Sequence, residues 1–370
     1  MIRRKLGLIE NLKIDFWLFL PLSLTMIFGL FVLYSASNQN TNIIESQIIK
    51  ILFGFLIMVF CAQLNPQSLK IWTPRIFIFS IILLILVPIF GEKSLGAKRW
   101  LDIGIRFQPS ELIKFTLPMM LAWFVSTHGT PTTAKRIFYS IFLIVLPSIL
   151  ILKQPDLGTA ILVSSAGIFV LFLAGISWSF IIKSFLFVVC SFPILWSFLL
   201  KPYQKTRITT MFNPESDPTG SGYHVIQSKI AIGSGGFNGS GWLEGSQSHL
   251  NFIPEQKTDF IFSVLGEELG LIGFLILSLC YLGIIARSFY IFFNLKETFD
   301  RLVSGALIMI FISYIFVNIG MVTGILPVVG VPLPLISFGG TSIVSLMSSF
   351  GIISAFYHNQ KYKNTKNYNI

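Results

Sequence analysis

Long apolar runs, separated by short polar segments, recur from one end of this 370-residue chain to the other. A helix needs about 20 predominantly apolar residues to cross a bilayer. The pattern therefore predicts an all-α integral membrane protein with ten transmembrane helices, which form a single polytopic membrane domain over residues 1–370. The predicted helices lie near 14–36, 45–64, 71–90, 109–126, 136–152, 157–174, 178–200, 262–290, 301–324 and 336–357.

One polar interval, residues 201–261, is much longer than the others and separates predicted helices seven and eight. An even number of spans places both termini on the same side of the membrane. If the termini are cytoplasmic, the cytoplasmic segments hold 15 of the 27 Lys and Arg residues. The positive-inside rule favours this orientation, which makes 201–261 a large extracytoplasmic loop.

The composition agrees with a membrane protein and argues against a soluble one. The chain is 54% hydrophobic and only 12% charged, although its net charge is +11. In a membrane protein such a charge reflects cationic loops near anionic lipid, so we predict membrane lipid, and not nucleic acid, as the partner of these residues. The three cysteines all fall in apolar runs and lack metal or disulfide spacing, which indicates inert packing groups.

The acidic residues are distributed unequally between the two sides of the membrane. With the predicted topology, 12 of the 16 acids lie on or near the outer face. Acids contribute little to topology, so insertion does not explain this bias. We find no ionisable residue at mid-depth, where a carrier would place one. The distribution therefore favours chemistry at the outer interface over transport through the bilayer.

The segment "GEKSLGAKRWLDIGIRFQPSELIKF", residues 91–115, is the first candidate site. We expect a tight loop followed by a helix that starts at "PSE". Residues three apart share a helix face, so the carboxylate and amine of that helix can pair. The alternative is simple interfacial anchoring with one ion pair. Arg99 and Lys114 lie where an anionic headgroup would sit, so they are candidate substrate-binding residues. Lys98 adds a cation beside Trp100, a typical interface anchor, and Glu111 is the pairing partner of Lys114.

Two further loops carry weaker signals. In "KQPDLGTA", residues 153–160, Asp156 is either the N-cap of helix six or a site residue, and Lys153 is its partner or a phosphate contact. In "GSGGFNGSGW", residues 233–242, five glycines allow backbone N–H groups to approach a phosphate. Glycine runs are commonly just flexible, so this second pattern has little weight alone.

Asp259 ends the long loop, about one turn before helix eight. It either complements the helix dipole or acts as a general base whose pKa is raised by partial burial. We expect at least one of Glu267 and Glu268 to be structural and to pair with a loop cation. Three prolines in "GILPVVGVPLPLISFGGTS", residues 324–342, exclude a regular helix and predict the rim of a cavity.

These segments together resemble the SEDS (shape, elongation, division and sporulation) family, and its rod-elongation branch more than its division branch. The matching stretches follow the same order over most of the chain. They are "GAKRWLDIGIRFQPSELIK", "QPDLGTA", "NPESDPTGSGYHVIQSKIAIGSGGFNGSGW", "PEQKTDFIFSVLGEELG" and "NIGMVTGILPVVGVPLPLISFGGTS".

The resemblance implies a ten-helix peptidoglycan glycosyltransferase that polymerises lipid II at the outer face of the bacterial cytoplasmic membrane during cell elongation. It also implies a class B penicillin-binding protein as the crosslinking partner within an elongation complex. The family's essential aspartate falls on Asp259, and other sensitive positions fall on Arg99, Trp100, Glu111 and Lys114. A divalent cation, Mg²⁺ or Mn²⁺, is implied, and no organic cofactor is expected.

Two other functions remain open from the sequence. A lipid II flippase would share the lipid but would need a polar route across the bilayer. A noncatalytic scaffold of the elongation complex would explain the helices but not the outer carboxylates. For the enzyme, we expect Asp259 to accept a sugar hydroxyl proton, and Arg99, Lys114 and Lys98 to stabilise the leaving diphosphate.

Overall fold

The computed structural model describes residues 13–94, 97–102, 104, 106–129, 133–218, 220–250, 252 and 255–368. Residues 1–12, which carry part of the basic N-terminus used to predict the orientation, lie outside the described residues.

The described chain is nearly all helical, and each of the ten predicted segments overlaps a helix. The α-helices are α1 (Phe16–Ala36), α2 (Thr41–Gln63), α3 (Pro66–Phe90), α4 (Pro109–His128), α5 (Ala134–Lys153), α6 (Leu157–Leu173), α7 (Trp178–Ile194), α8 (Pro202–Phe212), α9 (Ser221–Gly235), α10 (Ser246–His249), α11 (Ile261–Asn294), α12 (Thr298–Val322) and α13 (Gly340–Tyr368). A π-helical turn, Leu195–Leu199, follows α7, and a 3₁₀ turn, Pro214–Ser216, follows α8.

Seven of these helices are long and apolar enough to cross a membrane. They are α1, α2, α3, α11 and α12 together with Lys135–Lys153 of α5 and Gly340–Asn364 of α13. Two shorter apolar helices, Leu157–Leu173 and Trp178–Ser191, add to this set. Within the described residues, length and composition therefore support seven candidate spans, and the ten predicted spans stay a prediction.

A small antiparallel sheet replaces the tight loop that we expected between α3 and α4. It has three strands, β1 (Glu92–Ser94), β2 (Ala97–Asp102) and β3 (Arg106–Phe107), in the order β1-β2-β3. Its registers pair Glu92 with Trp100 and Leu101 with Phe107. Strands this short give little periodic signal, which is why the sequence pattern indicated only a loop.

Asx caps and close glycine contacts define the helix ends and the packing. The side chains of Asp15, Asn40 and Asn65 accept backbone N–H groups at the starts of α1, α2 and α3. Helices α2 and α13 pack closely against each other. At Gly351 of α13 an added Cβ would lie 2.5 Å from the carbonyl oxygen of Met58, so the two helices approach too closely for any side chain there.

Candidate functional site

Asp259 lies in the turn just before α11, at the end of the bundle that carries the sheet. Its side chain is half-buried. The carboxylate lies against Gly330 of the non-helical segment between α12 and α13, because an added Cβ at Gly330 would be 3.4 Å from Asp259 Oδ2. Gly330 has φ +71°, so a side chain here would strain the backbone as well as crowd the carboxylate.

The surroundings of Asp259 make its carboxyl group a weaker acid than usual. Burial, and after it the negative charge of Glu255, are the main causes that raise the pKa of Asp259 to about 6. Arg207 and Arg99 act in the opposite direction and lower this pKa. A carboxylate that is mostly ionised at neutral pH, yet basic enough to accept a proton, meets the requirement for a general base.

Arg99 and Asp156 lie near enough to Asp259 for their charges to act on its carboxyl group. Arg99 lies on β2, and its guanidinium donates hydrogen bonds to the backbone carbonyls of Gln154 and Pro155. Asp156 is the N-cap of α6, since its Oδ1 accepts the Thr159 N–H at 3.2 Å. Both residues also influence the pKa of Asp259. Asp156 is therefore both the N-cap of α6 and a member of the charged cluster around Asp259. The sequence did not decide between these two roles.

Arg207 is the member of this cluster that the sequence analysis missed. It lies on α8, near the start of the long loop. Burial lowers the pKa of Arg207 and the charge of Arg99 lowers it further, whereas Asp156 and Asp259 raise it. Nothing in "KPYQKTRITTMF" distinguishes Arg207 from the lysines beside it. Only the fold of the loop shows which cation faces the aspartate.

Glu111 and Lys114 form the ion pair that their spacing predicted. Lys114 Nζ lies 2.5 Å from Glu111 Oε1, and each side chain is only 8% exposed. Glu111 Oε2 accepts a hydrogen bond from Ser345 Oγ at 2.8 Å, and Lys114 Nζ lies 4.7 Å from the centre of the Tyr314 ring. The pair thus ties α4 to α12 and α13, and Lys114 is less open to a headgroup than its sequence position suggested.

A cavity of about 840 Å³ lies beside this pair. Its walls come from α2, the sheet, α4 and the start of α13. Glu111 and Trp100 line it, together with Arg106, Phe115 and Phe338. Phe338 belongs to the predicted proline-rich rim, and its backbone N–H bonds to Lys257 O, two residues before Asp259. The cavity and the aspartate therefore share one structural element.

Lys50 is an ionisable residue inside a candidate membrane span, and the sequence analysis gave it no role. It is the tenth residue of the 23-residue helix α2, and it lines the cavity. Lys50 Nζ lies 3.5 Å from the centre of the Phe338 ring, a cation–π contact. A lysine inside an apolar run was a visible signal that the sequence analysis overlooked.

Two predicted binding residues lie apart from these contacts. Lys98 Nζ donates to the carbonyls of Pro88 and Ile89 at 3.2 and 3.4 Å, so it caps the C-terminal end of α3. Lys153 is exposed at the last position of α5. A substrate contact for either lysine stays a prediction.

The glycine-rich segment serves packing in the described structure. An added Cβ at Gly239 would lie 2.0 Å from the carbonyl oxygen of Glu268, and Gly270 at the kink of α11 has φ +58°. Glu267 accepts hydrogen bonds from the backbone N–H groups of Gln247 and Ser248 at 2.7 and 3.1 Å. Glu267 is therefore structural as expected, but it holds loop amides and not the cation that we predicted.

Among the residues that the structure describes, no three His, Cys, Asp or Glu side chains converge on one point. Mg²⁺ is usually held by one or two carboxylates together with substrate phosphates, and two carboxylates, Asp156 and Asp259, do occur in one cluster.

Comparison with known sequences connects this arrangement to characterised proteins. The cell cycle protein family FtsW/RodA/SpoVE matches residues 15–362. The chain is 48% identical over 353 residues to the peptidoglycan glycosyltransferase MrdB of Escherichia coli strain K12, with 95% of each protein covered. It is 30% identical over 408 residues to the peptidoglycan glycosyltransferase RodA of Treponema pallidum strain Nichols, which covers 90% of this chain and 94% of that relative.

Solved structures agree with the sequence relatives. A chain of a peptidoglycan synthase complex, described for the structural coordination of polymerization and crosslinking, has a TM-score of 0.82 at 30% identity, with 94% of this chain and 98% of that chain covered. The rod shape determining protein RodA of Thermus thermophilus has a TM-score of 0.71 at 24% identity over the same fractions, and supports the fold alone.

Proposed function

This chain belongs to the FtsW/RodA/SpoVE family of cell cycle proteins, and we propose that it is a peptidoglycan glycosyltransferase that polymerises lipid II during rod-cell elongation. The identity to enzymes of that name over nearly the whole chain supports the activity. The observation that carries the chemistry is the convergence of Asp259, Asp156, Arg99 and Arg207 at one end of the bundle.

The protein is a multi-pass membrane protein, and its relatives indicate the bacterial cytoplasmic membrane. All ten predicted segments are spans in this proposal, including α4, α6 and α7. Both termini are cytoplasmic and 201–261 is a periplasmic loop within one domain, which the Lys and Arg distribution supports. Asp259 then lies at the periplasmic boundary, where the sugar of a lipid-linked substrate is accessible.

The reaction starts with proton transfer to Asp259. One carboxylate oxygen accepts the proton of the acceptor sugar's 4-hydroxyl while that oxygen forms a bond to the anomeric carbon of the growing strand. The bond from this carbon to the diphosphate breaks, its electron pair leaves with polyprenyl diphosphate, and the α linkage becomes β. Half-burial beside Glu255 suits Asp259 to this role, because both effects raise its pKa.

The two arginines are positioned to stabilise the leaving group. Negative charge develops on the diphosphate as the bond breaks, and fixed cations near it stabilise the transition state. The two carbonyl hydrogen bonds of Arg99 fix its guanidinium before substrate binds. Arg207 adds a second cation from the periplasmic loop. A planar guanidinium suits a diphosphate because it donates several hydrogen bonds in one plane.

We assign the remaining predicted residues to the route by which the lipid-linked substrate reaches Asp259. The cavity beside Glu111 and Lys114 has largely apolar walls and is large enough for part of a lipid-linked substrate, with Trp100 at its edge. Lys98, Lys153 and Asp156 are proposed contacts at its outer end. A divalent cation would be held by Asp156 together with the substrate's diphosphate, and it would supply positive charge that neutralises the leaving group.

A class B penicillin-binding protein is the proposed partner, within an elongation complex. The similarity to a chain of a peptidoglycan synthase complex that couples polymerization and crosslinking supports this assignment. A crosslinking partner fits a polymerase because nascent strands would then leave one enzyme and enter the other at the same membrane face.

The pH dependence of polymerisation tests the role of Asp259. We expect purified protein with its partner to make glycan from lipid II at a rate that falls below about pH 6, where Asp259 becomes protonated. In Glu255→Gln the acid limb of kcat should move to lower pH, because loss of the neighbouring negative charge lowers the pKa of Asp259. An acid limb that does not move in Glu255→Gln would contradict the assignment of Asp259 as the general base.

A separate assay tests the flippase. If the purified protein makes no polymer but translocates lipid II in liposomes, the result would favour the flippase.

Arg207→Ala should have the opposite effect on the limb. Arg207 lowers the pKa of Asp259, so its removal raises that pKa and moves the acid limb to higher pH. The loss of a leaving-group cation should also lower kcat on the order of 10²-fold. Lys205→Ala removes a charge from the same helix and serves as the control. Equal effects of both substitutions would show that only the general charge of α8 matters.

A further inference from the structure

Three consecutive backbone carbonyls in the turn that carries Asp259 each accept a hydrogen bond. The donors belong to α12 and to the non-helical segment that precedes α13. The bonds run from Phe338 N to Lys257 O at 2.9 Å, from Ser337 Oγ to Thr258 O at 2.5 Å, and from Asn318 Nδ2 to Asp259 O at 2.8 Å. These three bonds hold the backbone before and after the Asp259 side chain, and all of their donors lie on α12 and the segment that precedes α13.

Asn318 joins this turn to the Gly330 region. Its Nδ2 also donates to Val331 O at 2.7 Å, and the side chain is fully buried. Because both partners are carbonyl oxygens, only the NH₂ end of the amide can face them, which fixes its orientation. Within the described part of the chain, the buried Oδ1 has no hydrogen-bond partner. A hydrophobic side chain would avoid that cost, so the two donated bonds are the reason for an amide here.

Ser337 is itself held in place. Its Oγ accepts the Leu333 N–H at 2.8 Å, which leaves the hydroxyl proton directed at Thr258 O. Gln47 of α2 donates to Ser337 O at 3.1 Å, and Tyr281 of α11 donates to Pro334 O at 2.7 Å. The donors therefore sit on a segment that two helices restrain, and a movement of that segment would move Asp259 with it.

We propose that Asn318 and Ser337 are positioning residues that hold the Asp259 backbone so that its carboxylate stays against Gly330 and aimed at the acceptor hydroxyl. This inference rests on the catalytic role of Asp259 proposed above. Neither residue touches the reacting atoms. Their effect is on geometry, and small displacements of a reacting group lower a rate far more than they weaken substrate binding.

Kinetics of four variants test the proposal in the purified full chain with its penicillin-binding partner and lipid II. For Asn318→Ala and Ser337→Ala, kcat should fall roughly 10- to 100-fold. KM should change by less than about twofold, since substrate binding is not altered. Ser337→Thr keeps the hydroxyl and should recover most of the rate. Ser304→Ala is the control, because it removes a buried hydroxyl of α12 and should leave the rate unchanged.

The acid limb of the pH profile of kcat distinguishes a positioning role of Asn318 and Ser337 from a general loss of stability. A carboxylate released from the turn gains water, so its pKa falls and the limb should move to lower pH in Asn318→Ala and Ser337→Ala. The charged groups that act on Asp259 are Glu255, Arg207, Arg99 and Asp156, and all four remain in these variants. A folded variant that lost only stability would keep the limb of the unaltered protein.

The outcomes are distinguishable. If Asn318→Ala does not fold, the comparison of Ser337→Ala with Ser337→Thr decides alone. An unaltered kcat and an unmoved limb in Ser337→Ala would overturn the positioning role. A loss of rate that Ser337→Thr fails to recover would overturn it too. If Asp259→Asn in the same preparation polymerises lipid II normally, the proposed function is wrong, and not merely its positioning.

Discussion

Asp259→Asn should abolish glycan synthesis, with a rate loss on the order of 10²–10⁴-fold. The substitution keeps the size of the side chain and the backbone bonds to Asn318 and Ser337, but an amide cannot accept the hydroxyl proton. The measurement is initial lipid II polymerisation by the purified variant with its partner, together with its thermal unfolding temperature in detergent.

Glu215→Gln is the matched control for Asp259→Asn. It removes one negative charge from an exposed position of the same loop, so it tests whether any acid in that loop would suffice. We expect normal polymer from this control and correct complex formation by both variants. A well-folded Asp259→Asn protein with an undiminished rate would show that the base lies elsewhere, and would leave the relatives' activity without this chemical explanation.

The apolar pattern predicted what depends on local sequence. The helices, the pair formed by Glu111 and Lys114, and the break of helix near Pro327 follow from residue spacing, because one face of a helix or one proline decides them. The small sheet was missed because its strands are shorter than the period-two signal needs. Asp259 became a candidate because several acids cluster where an apolar run begins, and because the resemblance places the family's essential aspartate there.

Other parts of the site depend on contacts between distant segments, which no local pattern contains. Arg207 and Asp259 are 52 positions apart in the sequence, and only the fold brings them near enough for their charges to interact. The sequence presents Asn318 as an ordinary polar residue of α12. Only the structure shows that its amide bonds to the carbonyls of Asp259 and Val331. The glycines from 233 to 242 suggested a phosphate loop, yet they accommodate the kinked start of α11. Glycine permits close approach but does not specify what approaches.

The buried pair of Glu111 and Lys114 gives the largest expected effect on stability. Lys114→Met leaves the Glu111 carboxylate buried without its cation, and Glu111→Gln leaves the amine without its anion. Removing one partner of a buried ion pair costs about 3–5 kcal/mol, whereas apolar replacement of both is often nearly neutral. Both single variants should therefore show low unfolding temperatures in detergent, and the double variant Glu111→Met, Lys114→Met should recover most of the loss.

The activity of that double variant decides between two roles of the pair. If Glu111 and Lys114 only join α4 to α12 and α13, restored stability should restore polymerisation. Because Glu111 also lines the cavity beside Trp100, we expect a stable double variant that binds its partner but makes little glycan. Lipid II polymerisation is the measurement, and Ser304→Ala is again the control. Recovery of both stability and activity would show that the pair is structural and that the substrate contacts lie with the arginines.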